Sequence, residues 1–151
     1  MSTQIHTGGC QCGAIRFRVT GDLKDASICH CRMCQKAFGA YYAPLVSTRG
    51  AVLEWTRGEP KRFQSSNVVR RGFCADCGTP LTYGRTGQSL SVTLMSLDDP
   101  GVLTPEHQNG MESRVAWLDH LDHLKPIVAD EWIRTLGRDS AGNRQHPDRE
   151  V

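Results

Sequence analysis

Between residues 15 and 20 apolar and polar side chains alternate, Ile15, Phe17 and Val19 against Arg16, Arg18 and Thr20. A period of two marks a strand with one buried face. Further strands are predicted at 41–46, 51–55, 68–73, 80–83 and 90–97, each set off by Gly, Pro, Asp or Ser. Helix is sparse. A short helical turn is predicted at 31–38, stopped by Gly39 just past its end, and a second short helix at 130–136. Residues 137–151 are polar, charged and poor in apolar side chains, and read as a frayed, flexible tail. The body is therefore expected to be mainly β, without an internal repeat.

A chain of 151 residues is one domain's worth of sequence. The expected division is a single domain over 1–136 followed by the tail at 137–151. The apolar share of 38% is somewhat low and the mean hydropathy is negative, as in a small protein whose interior is partly organised by metal. No stretch approaches the ~20 apolar residues of a membrane helix. The start, Met1-Ser2-Thr3-Gln4-Ile5-His6, lacks the basic and apolar run of a signal peptide. These features point to the cytoplasm and to no membrane partner. A formal charge of +2 is too mild to imply nucleic acid, and it is compatible with a small anionic substrate.

The cysteines sharpen this picture. Seven of them fall into three clusters: Cys10-Gln11-Cys12, Cys29-His30-Cys31-Arg32-Met33-Cys34 and Cys74-Ala75-Asp76-Cys77. A disulfide framework favours an even count and an oxidising compartment, whereas close pairs in a reducing one are commonly metal or redox sites. Cys29, Cys31 and Cys34 lie close enough in sequence to converge on one ion unaided. By elimination Cys10 and Cys12 pair with Cys74 and Cys77, whose following Gly78 suits the turn of a zinc knuckle. Four thiolates close a structural zinc, while three leave a position open, as catalytic zinc sites do. The expectation is two zinc ions per chain, one structural and one catalytic. An open position on a thiolate-rich metal suits a thiol substrate, which coordination deprotonates. Two purely structural zincs are the alternative from spacing alone.

Other side chains add less. His30 lies between two proposed ligands, but neighbouring side chains point apart, so a supporting or surface role is expected. His107, His120 and His123 are weak candidates for proton transfer. Arg32, Lys36, Arg70, Arg71 and Arg85 flank the cysteine clusters and are candidates to meet substrate carboxylates, with Arg32 and Lys36 the nearest to the trio in sequence.

Four ordered blocks carry a resemblance: 8–17 (Gly8-Gly9-Cys10-Gln11-Cys12-Gly13-Ala14-Ile15-Arg16-Phe17), 29–39 around the central trio, 71–81 around Cys74 and Cys77, and 112–118 (Glu112-Ser113-Arg114-Val115-Ala116-Trp117-Leu118). Over roughly 7–126 the chain resembles the glutathione-dependent formaldehyde-activating enzymes, a zinc-binding family that also holds centromere protein V. The resemblance implies a β-tent fold of antiparallel sheets with short helical turns. It implies a structural zinc on Cys10, Cys12, Cys74 and Cys77 and a catalytic one on Cys29, Cys31 and Cys34. It also implies a carbon–sulfur lyase that joins formaldehyde and glutathione as S-hydroxymethylglutathione, or reverses that step. Many relatives carry histidine where this chain has Gln108. The rival readings are a non-catalytic zinc scaffold for a protein or nucleic-acid partner, as the centromere branch suggests, and zinc handling or thiol sensing. The intact trio and the lack of a long basic tail favour the enzyme.

Overall fold

The computed structural model describes residues 3–130, 134 and 144–150. The chain is mainly β, and its described strands form two sheets. The smaller sheet has the order β1-β2-β5, with β1 at Ile5–Gly9, β2 at Arg16–Thr20 and β5 at Val52–Arg57, all antiparallel. The larger comprises β3 (Lys24–Cys29), β4 (Ala43–Ser47), β6 (Lys61–Gln64), β7 (Val69–Phe73), β8 (Pro80–Arg85), β9 (Ser91–Thr93) and β10 (His107–Asn109). Its order is β10-β3-β4-β9-β8-β7-β6, antiparallel except for the parallel β10–β3 edge. Gly8 of β1 also bridges Leu97, which lies past β9 and the turn that follows it.

The predicted alternation in β2 is real on its apolar side: Phe17 and Val19 are buried, and Phe17 packs edge-on against Trp55 at 5.8 Å between ring centroids. Its polar side departs from the pattern at Arg16, which is buried because Asp98 receives it, Nη1 2.9 Å from Oδ1 and Nη2 2.5 Å from Oδ2. A buried cation is tolerable when a carboxylate meets it in this two-pronged way. The main core joins Phe17 and Val19 to Val46, Leu81, Val92 and Leu97.

β4 serves both sides of its sheet. Val46 faces the main core, while Ala43 and Leu45 pack with Cys34 in a second, smaller cluster. The strand therefore ties the central cysteine cluster to the rest of the interior.

Helix α1 (Arg32–Phe38) is too short to stand alone. It is held at its start by the Cys31 side chain, which accepts from Cys34 N–H at 3.4 Å, and at its end by Gly39 in the left-handed region at φ 57°. Its buried Gln35 donates from Nε2 to the carbonyls of Tyr41 and Ser113, at 3.1 and 3.0 Å.

The strand predicted at 90–97 ends at Thr93 and tightens into a 3-10 turn at Leu94–Ser96. Of the helix predicted at 130–136 only residues 130 and 134 are described, both helical, and most of the tail at 137–151 lies outside the described residues. Within 144–150, His146 N–H donates to the Gln11 carbonyl at 2.7 Å, Arg149 offers its carbonyl to Arg16, and Glu150 pairs with Arg18.

Candidate metal centres

Each predicted cysteine group converges in space. The Sγ atoms of Cys10, Cys12, Cys74 and Cys77 lie within 4.8 Å of one another, as do those of Cys29, Cys31 and Cys34. All seven are free thiols.

The first group sits where two tight turns face each other. One follows β1 and is closed by Cys10 N–H to the Ile15 carbonyl at 3.0 Å; the other follows β7 and is closed by Cys74 N–H to the Thr79 carbonyl at 2.9 Å. Thr79 couples them, its Oγ1 accepting from Gln11 N–H at 3.0 Å and lying 3.1 Å from Cys77 Sγ. The sulfur separations, 3.6 Å from Cys10 to Cys12 and 3.9 Å from Cys12 to Cys74, bracket the ~3.8 Å edge of a tetrahedron with ~2.3 Å metal–sulfur bonds. They are far too long for disulfides. This donor set fits a metal of the zinc type. Burial pushes the Cys74 thiol up to about 12. Burial also acts on Cys77, but hydrogen bonds from Thr79 and from the Cys12 backbone outweigh it and bring this thiol down to about 6. Cys77 is therefore the readier to ionise of these two neighbours, and a bound cation would favour the thiolate form of Cys74.

The second group comes from the end of β3 and the start of α1: Cys29 closes the strand, Cys31 caps the helix and Cys34 projects from its first turn. β10 braces it. Cys29 pairs with Asn109, His30 N–H donates to the Asn109 carbonyl at 2.8 Å, and Gly110 packs on Cys31. His30 does not join the thiol group; it is buried, its Nε2 lies 2.8 Å from Gln108 Oε1, and its ring meets Tyr42 edge-on. Burial raises the Cys29 thiol to about 12 and raises Cys34 as well. On Cys31 burial is outweighed by the Cys34 N–H, the neighbouring thiols and the Arg71 charge, and the net direction is down.

A cavity of about 410 Å³ opens in front of this trio, lined by its three cysteines with Arg71, Tyr83 and Asn109. Arg71 is the site residue that sequence spacing left among several surface candidates. Its side chain is buried, with Nη2 3.3 Å from Cys34 Sγ and Nε 2.9 Å from Ser65 Oγ. The signal was its position: two residues before Phe73 on β7, it shares the inward parity of Val69. Arg85 also borders the cavity, whereas Arg32 and Lys36 do not; Arg32 Nη1 instead donates to Gln35 Oε1 at 2.6 Å. His107, His120 and His123 are exposed and stand outside the cavity lining.

A mainly β chain that gathers seven thiols into a group of four and a group of three could hold two metal ions, the second facing a cavity. Residues 5–113 match the family model of the glutathione-dependent formaldehyde-activating enzyme, and the chain belongs to that family. An uncharacterized lyase of Schizosaccharomyces pombe is 30% identical over 88 residues, which is 54% of this chain and 58% of that lyase. The chain thus spans less than two thirds of the length of this relative. A solved structure of a Rhodobacter sphaeroides protein shares the fold, with a TM-score of 0.50 and 23% identity over 68% of this chain and 99% of that one. No helix among the described residues is long and apolar enough to cross a membrane.

Proposed function

We propose that this chain is a cytoplasmic, zinc-dependent carbon–sulfur lyase that forms or breaks the bond between a thiol such as glutathione and a small carbonyl compound such as formaldehyde. The observation that carries the reading is the unequal pair of thiol groups: the group of three faces a cavity of about 410 Å³. Family membership and the lyase name borne by a relative support it. Cys10, Cys12, Cys74 and Cys77 hold the structural ion; Cys29, Cys31 and Cys34 hold the catalytic one.

A zinc ion on the trio supplies a position at which a thiol sulfur is held as thiolate at neutral pH. The protein's own residues supply the rest. The cavity brings the carbonyl carbon to the sulfur, which replaces a bimolecular encounter by a positioned one. In the forward direction a carbon–sulfur bond forms, the carbonyl π pair moves to oxygen, and the proton lost by the thiol ends on that oxygen. The reverse returns thiol and aldehyde. His30, fixed by Gln108 and Tyr42, holds the ligand loop in register without touching the thiol group. Arg32 and Lys36, outside the cavity, remain proposed contacts for the carboxylates of a tripeptide long enough to extend beyond it.

The test is magnetisation exchange between 13C-formaldehyde hydrate and its glutathione adduct, followed by NMR with zinc-loaded protein. Exchange accelerated by the native chain and lost in Cys31→Ser is expected. No acceleration, with both metals in place, would leave the scaffold reading standing.

A further inference from the structure

Arg71 presents an electrostatic problem that the fold alone does not solve. The residue is 4% exposed, and no carboxylate among the described residues pairs with it. Its neighbours are a hydroxyl, an aromatic face and a sulfur: Ser65 Oγ, the Tyr83 ring with Cζ 5.1 Å from its centroid, and Cys34 Sγ. Nη1 is buried without any hydrogen-bond partner. A guanidinium cannot shed its proton to escape this situation. Burying it beside three neutral thiols is therefore costly, and the charge needs a compensating anion.

The trio supplies that anion when it is loaded. Three thiolates around a divalent cation carry a net charge of −1, and a fourth thiolate makes it −2. A neutral fourth ligand leaves −1. Without a nearby cation, the step from −1 to −2 in a half-buried site is opposed by both repulsion and desolvation.

We propose that Arg71 is the positioning residue that makes the open position of the trio select an anionic, thiolate ligand over a neutral one, by balancing the charge which that ligand adds. The inference rests on the reading of the trio as a metal site with an open position, and it deepens that reading by assigning the ligand's charge class to a residue. Ser65 holds the guanidinium through Nε, and Tyr83 packs beneath it, so the Nη2 edge is aimed at Cys34. Arg71 needs no contact with the reacting carbon to act in this way. Its influence reaches the ligand through the charge of the metal–thiolate group.

The protein is loaded with Co2+, whose visible bands report on the thiolate site, and titrated with ethanethiol, azide and imidazole. The native chain is expected to bind ethanethiol and azide more tightly than imidazole. In Arg71→Met both anions should weaken by roughly tenfold to a hundredfold, the size of one charge interaction lost across ~6–10 Å at an effective dielectric of ~20, while imidazole changes by less than about twofold. Arg71→Lys, which keeps the charge and loses the fork, should recover most of the anion preference. Ser65→Ala, a mild change outside the ligand set, gives a second reading if Arg71→Met fails to fold, with anion affinity falling about threefold and imidazole unmoved. Equal weakening of all three ligands, or anion binding unchanged in both variants, would overturn the proposal. If the native chain binds ethanethiol and Arg71→Met binds it as well, only the role of Arg71 falls. If the native, loaded chain binds no thiol, the open-position reading falls too.

Discussion

Gly110 lies against the backbone of Cys31, and a Cβ built on it would stand 2.6 Å from Cys31 N. Its φ of 66° is in the left-handed region, so an L side chain is strained there as well as obstructed. The turn that follows β10 can approach the metal-ligand loop this closely only as glycine.

Gly110→Ala should therefore displace Cys31 before it disturbs the main core. The expected result is loss of the trio metal with a modest destabilisation, about 1–3 kcal/mol. Zinc content near one ion per chain, alongside a melting curve that remains cooperative, is the signature. Retention of both metals would show that β10 yields more readily than the cysteine loop.

The two thiol groups should respond unequally to loss of a ligand. Cys77→Ser should lower the melting temperature strongly, because the four-thiol site joins chain segments far apart and its binding energy is part of the folding energy. Cys31→Ser should leave most of the fold standing and release the metal beside the cavity, since a hydroxyl is a poor ligand for a soft site. Melting curves read beside elemental analysis decide the matter, with two zincs expected in the native chain. Identical melting losses would make the second metal structural and remove the main support for the enzyme.

Asp98→Ala should cost about 3–5 kcal/mol, because it strands the buried Arg16 without its carboxylate. The effect should depend on pH. Burial opposes ionisation of Asp98, but the hydrogen bonds from Arg16 and Thr7 outweigh it and hold its carboxyl below the ordinary value of 3.8. A carboxyl depressed on folding contributes stability above its unfolded value and loses it as the pH falls through the folded one. The gap between native chain and variant, measured by denaturant unfolding at matched pH, should stay constant above pH 5 and close as the pH falls below about 3.8. A gap that stays constant into acid would show that packing, not charge, is what Asp98 provides.

Gln108→Leu should leave His30 without a partner on either ring nitrogen, since its Nδ1 already has none. A buried donor left unsatisfied costs about 1–3 kcal/mol. Gln108→His, which restores a hydrogen-bonding ring, should recover part of that loss in thermal melting. No difference between the two variants would mean that the His30–Gln108 contact contributes nothing to the loop.

The local chemistry of this chain was legible because its ligands are clustered in sequence. Cys29, Cys31 and Cys34 could be grouped without a structure, and the alternation around Phe17 and Val19 located a buried face. The strands that escaped notice lack an apolar period. β1 carries two glycines; β3 opens on Lys24 and Asp25 and shifts register before Ser27, with Asp25 at φ 54°; β6 is exposed and charged, as edge strands often are; β10 has three polar residues and owes its conformation to pairing with Ser27, Ile28 and Cys29. Arg16 and Arg71 were hidden for a different reason. Their burial depends on Asp98 and Cys34, partners 82 and 37 positions away, and pairing over such distances leaves no periodic trace.

The spacing of the ligands also orders the assembly of the molecule in time. Cys12 and Cys74 are 62 positions apart, so the four-thiol site cannot close until the chain has been made beyond Cys77. The three-thiol site is complete once Cys34 is free. Its loop-closure cost is also smaller, by roughly 2 kcal/mol on the logarithmic dependence of that entropy on length. If both groups take the zinc proposed for them, the first complete set of thiols during synthesis is the one that later faces the cavity, and the four-thiol set follows it. On the proposed zinc reading, a nascent chain short of zinc would hold its metal at the three-thiol group while the four-thiol group still lacked its own.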